Sequence, residues 1–414
     1  MLAVMAAGLV FSIAGTATAF QNPQDLPALA SDQAARSPLL AVTHAGTRIV
    51  AVGLRGHIVY SDDAGAHWTQ ALVPVSSDLL AVSFPSPRMG WVVGHGGVVL
   101  HSADGGATWR RQLDGRQAAE IALRHYESRP PTDTAADAQL KREKRLAADG
   151  GTQAFLDVHF DSDTSGYVVG TFNRIYRTTD AGVTWTPWMD HTDNPNELHF
   201  YAMRGSAGGL YLAGEQGMVW RLDAATQRFV TIPTPYKGTL FGLVTDGPDT
   251  LLAFGMRGSL FRSADQGRSW ARVATTSAAG ITAGIALADG SVLLVNQAGG
   301  IELSRDHGQT FAALKTAQPM SYFGVTALDA KRIGVVGAEG VRLESIRPDA
   351  TPADGLKPRP LHRRAPHQRS AHRTATSRWT TANTPAHPSS KTRRTSTTRR
   401  AAWSSGWCST TGCC

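Results

Sequence analysis

The sequence predicts an all-β fold, a seven-bladed β-propeller with a short helical insertion. Three observations predict it. First, a strand–turn–strand unit returns seven times: VGLRGHIVYS from Val52, VGHGGVVLHS from Val93, VGTFNRIYRT from Val169, AGEQGMVWRL from Ala213, FGMRGSLFRS from Phe254, VNQAGGIELS from Val295 and VGAEGVRLES from Val336. Second, the steps between copies are 41, 76, 44, 41, 41 and 41 residues. A period of that size with self-similar strands marks a radial array of four-stranded blades. Third, five copies continue into an S-x-D-x-G-x-x-W box or a close variant, such as SADGGATW at Ser102.

The elements follow in chain order. Residues 1–19 are apolar and end in Ala17-Thr18-Ala19, the pattern of a secretory signal peptide with an A-x-A cleavage site. A periplasmic product is the expectation. Residues 20–345 form the propeller, with blades at about 39–72, 79–113, 154–189, 197–230, 239–272, 280–313 and 322–345. Runs rich in Val, Ile, Phe, Tyr and Thr, punctuated by Gly, Asn and Asp, read as short strands. The long step of 76 holds an insertion, 114–150. Its two Ala-rich stretches flank RPPTD and read as two helices, with Ala118, Ile121, Ala122 and Tyr126 near one face. The charged run Lys141–Arg145 reads as a solvated face. Blade seven stops where its box is due, so the stretch 21–38 is expected to supply its fourth strand.

After Ile346 the composition switches abruptly. The last 69 residues read as a disordered basic tail, out of frame with the repeats, and the neighbouring frame resembles the start of a membrane protein. This tail explains the net charge of +8. Without it the body is slightly acidic, so no nucleic-acid partner is expected. The three cysteines lie in the final seven residues, so the body has no disulfide framework.

The boxes are structural in this reading. In each, the Asp and the Ser or Thr accept or donate within their own turn, Gly takes the corner that a Cβ disfavours, and the aromatic packs between blades. The residues are Asp63, Gly65 and Trp68; Asp104, Gly106 and Trp109; Asp180, Gly182 and Trp185; Asp265, Gly267 and Trp270; and Asp306, Gly308 and Phe311. They resemble the Asp-boxes, or BNR repeats, of sialidases and of several non-enzymatic propellers. The array from about residue 38 to 345, with its FLDVHF…GYVVG…IYRTTDAGVTW core, resembles the photosystem II stability/assembly factor family, in particular its relatives from non-photosynthetic bacteria. That resemblance implies an exported assembly or stability factor, with photosystem II as client in photosynthetic relatives. The neighbouring-frame hint points to an RND-type transporter here.

A glycan-binding or glycan-hydrolysing propeller is the alternative. The sialidase resemblance would require an early F/Y-R-I-P motif, and the one Ile-Pro lies in TIPTP without Arg. The histidines stand singly, with no metal-ligand spacing. No enzyme activity, cofactor or metal is therefore expected. What remains is a surface. The turn between second and third strands of every blade projects from the end opposite the boxes. Arg55, His95, Arg174, Glu215, Arg257 and Glu339 on those turns are the candidate partner-binding face, with a membrane-protein complex or transporter as partner and the chain itself a monomer.

Overall fold

The structure, a computed structural model, describes residues 21–346 apart from 131 and 317. The expected leader and all but the first residue of the tail lie outside the described residues. The fold is a seven-bladed β-propeller with two helices, the class that the repeats predict. Six antiparallel sheets have four strands and the seventh has three. They span 39–70, 79–113, 155–187, 200–232, 240–272, 281–314 and 322–345.

Burial follows position within the blade. The second strands, such as Gly90–Gly94 (GWVVG) and Gly166–Gly170 (GYVVG), are buried along their whole length. A neighbouring blade covers each face, so they read as unbroken apolar runs. The outermost strands are more exposed: Ala271–Arg272 is exposed throughout, while Arg228–Ile232 buries Phe229 alone. Between blades two and three, Trp91 stacks on Phe160 with ring centroids 3.6 Å apart.

The boxes fasten the turn between third and fourth strands. In blade five, Ser263 Oγ donates to Asp265 Oδ1 at 2.7 Å and accepts from Gly267 N at 2.8 Å. Ser269 donates to the same Asp twice, from its N–H at 2.9 Å and its hydroxyl at 2.6 Å. Gln266 and Gly267 both adopt left-handed backbone, with φ of 61° and 88°. Blades two, three and six repeat this arrangement. In blade one His67 replaces the hydroxyl residue, its Nδ1 lying 2.6 Å from Asp63 Oδ2. The box aromatics pack between blades as expected. Trp109 sits among Val50 and Val52 of blade one and Leu100 of its own blade.

One expectation about the seam between blades seven and one needs correction. The stretch 21–38 forms two short 3-10 turns, Pro23–Asp25 and Ala34–Arg36, and no strand. Its prolines and alanines lack the alternating β-branched pattern of a strand, and its polar groups are spent elsewhere. Ala28 N donates to Val73 O, Gln24 Nε2 to Gly96 O, and Arg111 Nη1 to Gln24 O. The segment is a strap from the seam across blade one to blade two. At the seam itself, His44 Nε2 lies 2.5 Å from Ala327 O, and Ala35 O lies against Gly340.

Blade seven also slips in register. In blade one Val52 pairs with Ile58, six residues on; in blade seven Val336 pairs with Val341, five on. The aliphatic that occupies the sixth place in the other blades is Arg342 here, and the slip brings Val341 into its position. A one-residue slip exchanges the faces of a strand. Leu343 is accordingly 41% exposed and Glu344 is buried.

The insertion forms α1 (Gly115–Glu127) and α2 (Thr134–Ala148). Asp114 opens α1 with a capping box: its side chain accepts from Gln117 N, and Gln117 Oε1 accepts from Asp114 N. Ala118, Ala122 and Tyr126 are buried; Ile121 is half-buried. The charged run in α2 is not wholly solvated, because Glu143 turns into the protein.

Candidate partner-docking face and channel

The turns between second and third strands lie at one end of the ring, because the third strand joins them to the boxes at the other. In blades one, two, four and five they are G-x-x-G 3-10 turns. The third residue is left-handed in each, including Arg55 at φ 55° and Arg257 at φ 57°. This backbone aims their side chains outward, and both are exposed.

The structure brings some of the predicted residues together. Asp78, leading into blade two, accepts Arg55 N at 2.8 Å and lies 3.6 Å from His95 Nδ1. His95 beside it holds the Asp78 carboxyl below its ordinary range. Glu215 is half-buried and accepts His199 N at 2.9 Å. Arg257 stands apart, with no side-chain partner among the described residues. Glu339 is exposed and pairs with Arg342.

Arg174 does not belong to this face. It is buried, and its guanidinium points away from the turn into the insertion. Its Nη1 donates to Glu143 Oε2 at 2.6 Å and to Tyr176 Oη at 2.9 Å, and its Nη2 to Gln153 Oε1 at 3.2 Å. Blade three lacks the turn's second glycine, carrying Asn173 and Arg174, and the helices cover that corner. Phe172, 44% exposed, is the residue this turn presents instead.

A collar at the channel mouth escaped the sequence reading. Each inner strand carries a β-bulge at its second residue: Leu40, Leu80, Leu156, Tyr201, Phe241, Thr282 and Phe323 are the unpaired positions. A bulge re-aims its extra side chain. All seven side chains are half-buried and line a central cavity of about 390 Å³. They lie at the turn end, because the first residue of each inner strand pairs with the residue that opens the turn, as Leu39 does with Gly53. Six of the seven are large and apolar. Tyr201 and Phe241 meet edge to face at 5.9 Å, and the arc continues through His199 to Phe172. The signal was present: every inner strand opens on a doublet, LL, LL, FL, FY, LF, IT and YF, where simple alternation allows one buried residue.

Among the described residues, no group of three or more His, Cys, Asp or Glu side chains is placed to hold a metal, and no helix is long and apolar enough to cross a membrane.

A ring of seven blades, most of them fastened by Asp-boxes, is an Asp-box β-propeller in class. The chain belongs to the photosystem II assembly factor family: the family model described as "Photosynthesis system II assembly factor YCF48" matches residues 41–127 and 147–312. The stretch between the two matches holds most of α2. Over 264 residues the chain is 25% identical to "Photosystem II stability/assembly factor HCF136, chloroplastic" of Arabidopsis thaliana, covering 53% of this chain and 63% of that protein. Over 64 residues it is 34% identical to "Photosystem II assembly lipoprotein Ycf48" of Synechococcus sp. (strain CC9902), covering 14% and 19%. The chain thus spans less than two-thirds of either relative. A solved structure described as "YCF48 bound to D1 peptide" superposes with a TM-score of 0.56 at 17% identity, over 78% of this chain and 100% of that one. YCF48 from Cyanidioschyzon merolae gives 0.55 at 16%, over 77% and 97%. At such identities the likeness of structures speaks for the fold alone.

Proposed function

We propose that this chain is a non-enzymatic docking ring, which binds a segment of a membrane-protein client on its turn face and so acts as an assembly or stability factor. The observation that carries the reading is the collar. Seven half-buried side chains, six of them apolar, surround an open mouth, and such a rim holds the apolar side chains of an extended segment. Arg55, His95, Glu215, Arg257 and Glu339 on the surrounding turns orient the client by charge.

Family membership supports the client class. The relatives are named for photosystem II assembly, and one of the solved folds is described with a D1 peptide. A reaction-centre subunit is the client in a photosynthetic host. In a host without photosystem II, another multi-subunit membrane complex, such as an RND-type transporter, takes its place. We place the protein outside the cytoplasm, on the leader-like residues 1–19 and the lipoprotein name of the Synechococcus relative.

The test is site-specific photo-crosslinking in cells. One crosslinker replaces Phe323 on the collar; a control replaces Val183, exposed on a box turn at the opposite end. Capture of one membrane complex from Phe323 but not Val183 is the expected result. No membrane protein from either site, or equal capture from both, overturns the reading.

A further inference from the structure

The channel breaks its own sevenfold pattern at one place. One residue beyond each bulge, six blades carry Ala or Gly: Ala41, Ala81, Ala202, Gly242, Ala283 and Gly324. The inner strands crowd one another there; a Cβ on Gly324 would lie 3.3 Å from Ala41 Cα. Blade three carries Asp157 at this position. The fold does not require a carboxylate where six blades do without one.

Asp157 is buried and committed to the next blade. Its Oδ2 accepts Met203 N at 2.8 Å and Arg204 Nη1 at 2.5 Å, and its Oδ1 accepts Val158 N at 2.9 Å. The same Nη1 of Arg204 donates to Met203 O at 2.6 Å. One nitrogen thus takes every contact of this guanidinium. Nε and Nη2 have no partner among the described residues, and the Arg204 side chain is 44% exposed on the cavity wall.

That free edge is the one that grips carboxylates. Elsewhere in the chain, Arg48 uses Nε and Nη2 for the two oxygens of Asp62, at 2.7 and 2.8 Å. A guanidinium held by one corner is pre-oriented, so little rotamer freedom is lost when its fork closes on a ligand. The charge balance sets the ligand class. Asp157 cancels the Arg204 charge, and the neighbouring His159 is already turned to Asp161 at 2.9 Å. The wall therefore offers one fork of two N–H donors and no second Arg or Lys, which suits a single carboxylate and gives a second one no partner. Above Arg204, three residues or about 10 Å along the strand, stand the collar residues Tyr201 and Phe241.

We propose that Arg204, positioned by Asp157, is a carboxylate-binding site in the channel, and that its ligand is a monocarboxylate with an apolar body lying toward Tyr201 and Phe241. A free organic acid and a carboxylate-bearing peptide share this chemistry. The site does not depend on the turn-face reading.

The test is isothermal titration calorimetry on the full chain. The probes are 3-phenylpropanoate, N-acetyl-Ala-Ala-Phe with a free carboxylate, and the same peptide as its amide. At least one acid binds, the amide binds at least roughly tenfold more weakly than the acid peptide if a peptide is the ligand, and Arg204→Gln weakens the bound acid by roughly tenfold or more. Because Arg204→Gln leaves Asp157 buried without its cation, the pair Asp157→Asn with Arg204→Gln is measured beside it and loses the acid to the same extent. Phenylpropanoate binding alone names a free acid as the ligand; preference for the acid peptide names a peptide. No binding of either acid at up to about 10 mM, or affinity unchanged in both variants, overturns the proposal.

Discussion

Glu143 of the inserted helix and Arg174 of the blade-three turn meet at 2.6 Å, with side chains 1% and 3% exposed. Their contact makes the insertion part of the ring. Around it Tyr176 Oη donates to Ala118 O at 2.8 Å, Gln139 Nε2 to Glu143 Oε1 at 2.8 Å, and Tyr126 Oη to Asp190 Oδ1 at 3.0 Å. A buried ion pair is expensive to split, since the survivor keeps its desolvation cost without its partner. Arg174→Met alone should therefore lower stability by about 3–5 kcal/mol. The double variant Glu143→Leu with Arg174→Met should recover most of that loss. Urea denaturation of the three proteins checks both statements. Equal stability of single and double variants would show that the pair is not coupled.

The box turns set a second prediction. Gly267 sits at φ 88°, and a Cβ there would lie 3.0 Å from Ile232 Cγ2 of the preceding blade. Gly267→Ala should cost about 1–2 kcal/mol from backbone strain alone, with more from the contact. The neighbouring Gln266, at φ 61°, already bears a side chain, so Gln266→Ala should be nearly neutral. Thermal midpoints of the two variants decide it.

Acid should loosen the boxes before it reaches the apolar core. Hydrogen bonds from the Ser269 hydroxyl, the Ser269 N–H and Ser263 pull the Asp265 carboxyl down to about 2. Arg116 and then Arg111 do the same for Asp25 in the strap. A carboxyl whose folded value is depressed contributes stability that is full above its unfolded value, near 4, and disappears as pH falls through its folded value. Stability should thus hold from pH 7 to about 4 and decline between about 4 and 2. Asp265→Asn should be weaker at neutral pH and should lose less on acidification. A series of urea midpoints from pH 7 to 2 tests the sign.

For the collar and its turns, Phe323→Ser and Leu40→Ser should leave the fold intact and reduce client capture. Reversing Arg55 and Arg257 to Glu should weaken a true contact by about 2 kcal/mol or more at each hot spot. Unaltered recovery of client by these four substitutions would remove the turn face from the binding site. Sialosides should not be turned over, and a release assay with a fluorogenic sialoside checks this directly.

The blade repeat was legible because its carriers are local. Gly-punctuated turns and apolar second strands recur at a fixed spacing, and the Ser or Thr and the Asp side chain of each box make their hydrogen bonds within its eight residues. The residues that define the candidate site are legible only in part. The bulges left a doublet in each repeat, but a doublet names no direction until the pairing register is known. Arg174 lies two places beyond the exposed residue of its turn, at the position where other blades bury His57, Val98 and Ser259, so the repeat alignment itself marks it as internal. Glu143 was hidden inside a run of four basic residues. The slip of blade seven depends on Arg342, a single departure from an aliphatic position. The strap could not be read at all, since its partners, backbone groups and side chains alike, lie tens of residues away.

The seam contact between His44 and Ala327 joins residues 283 apart in the chain. No neighbour-by-neighbour addition of blades can make it early. During synthesis the strap can fasten to blades one and two as soon as these have formed, while its contact with Gly340 waits for the final blade. Circularisation is therefore the last event, and loop-closure entropy must be met in one step. Until then the facing surfaces of blades one and seven stay uncovered.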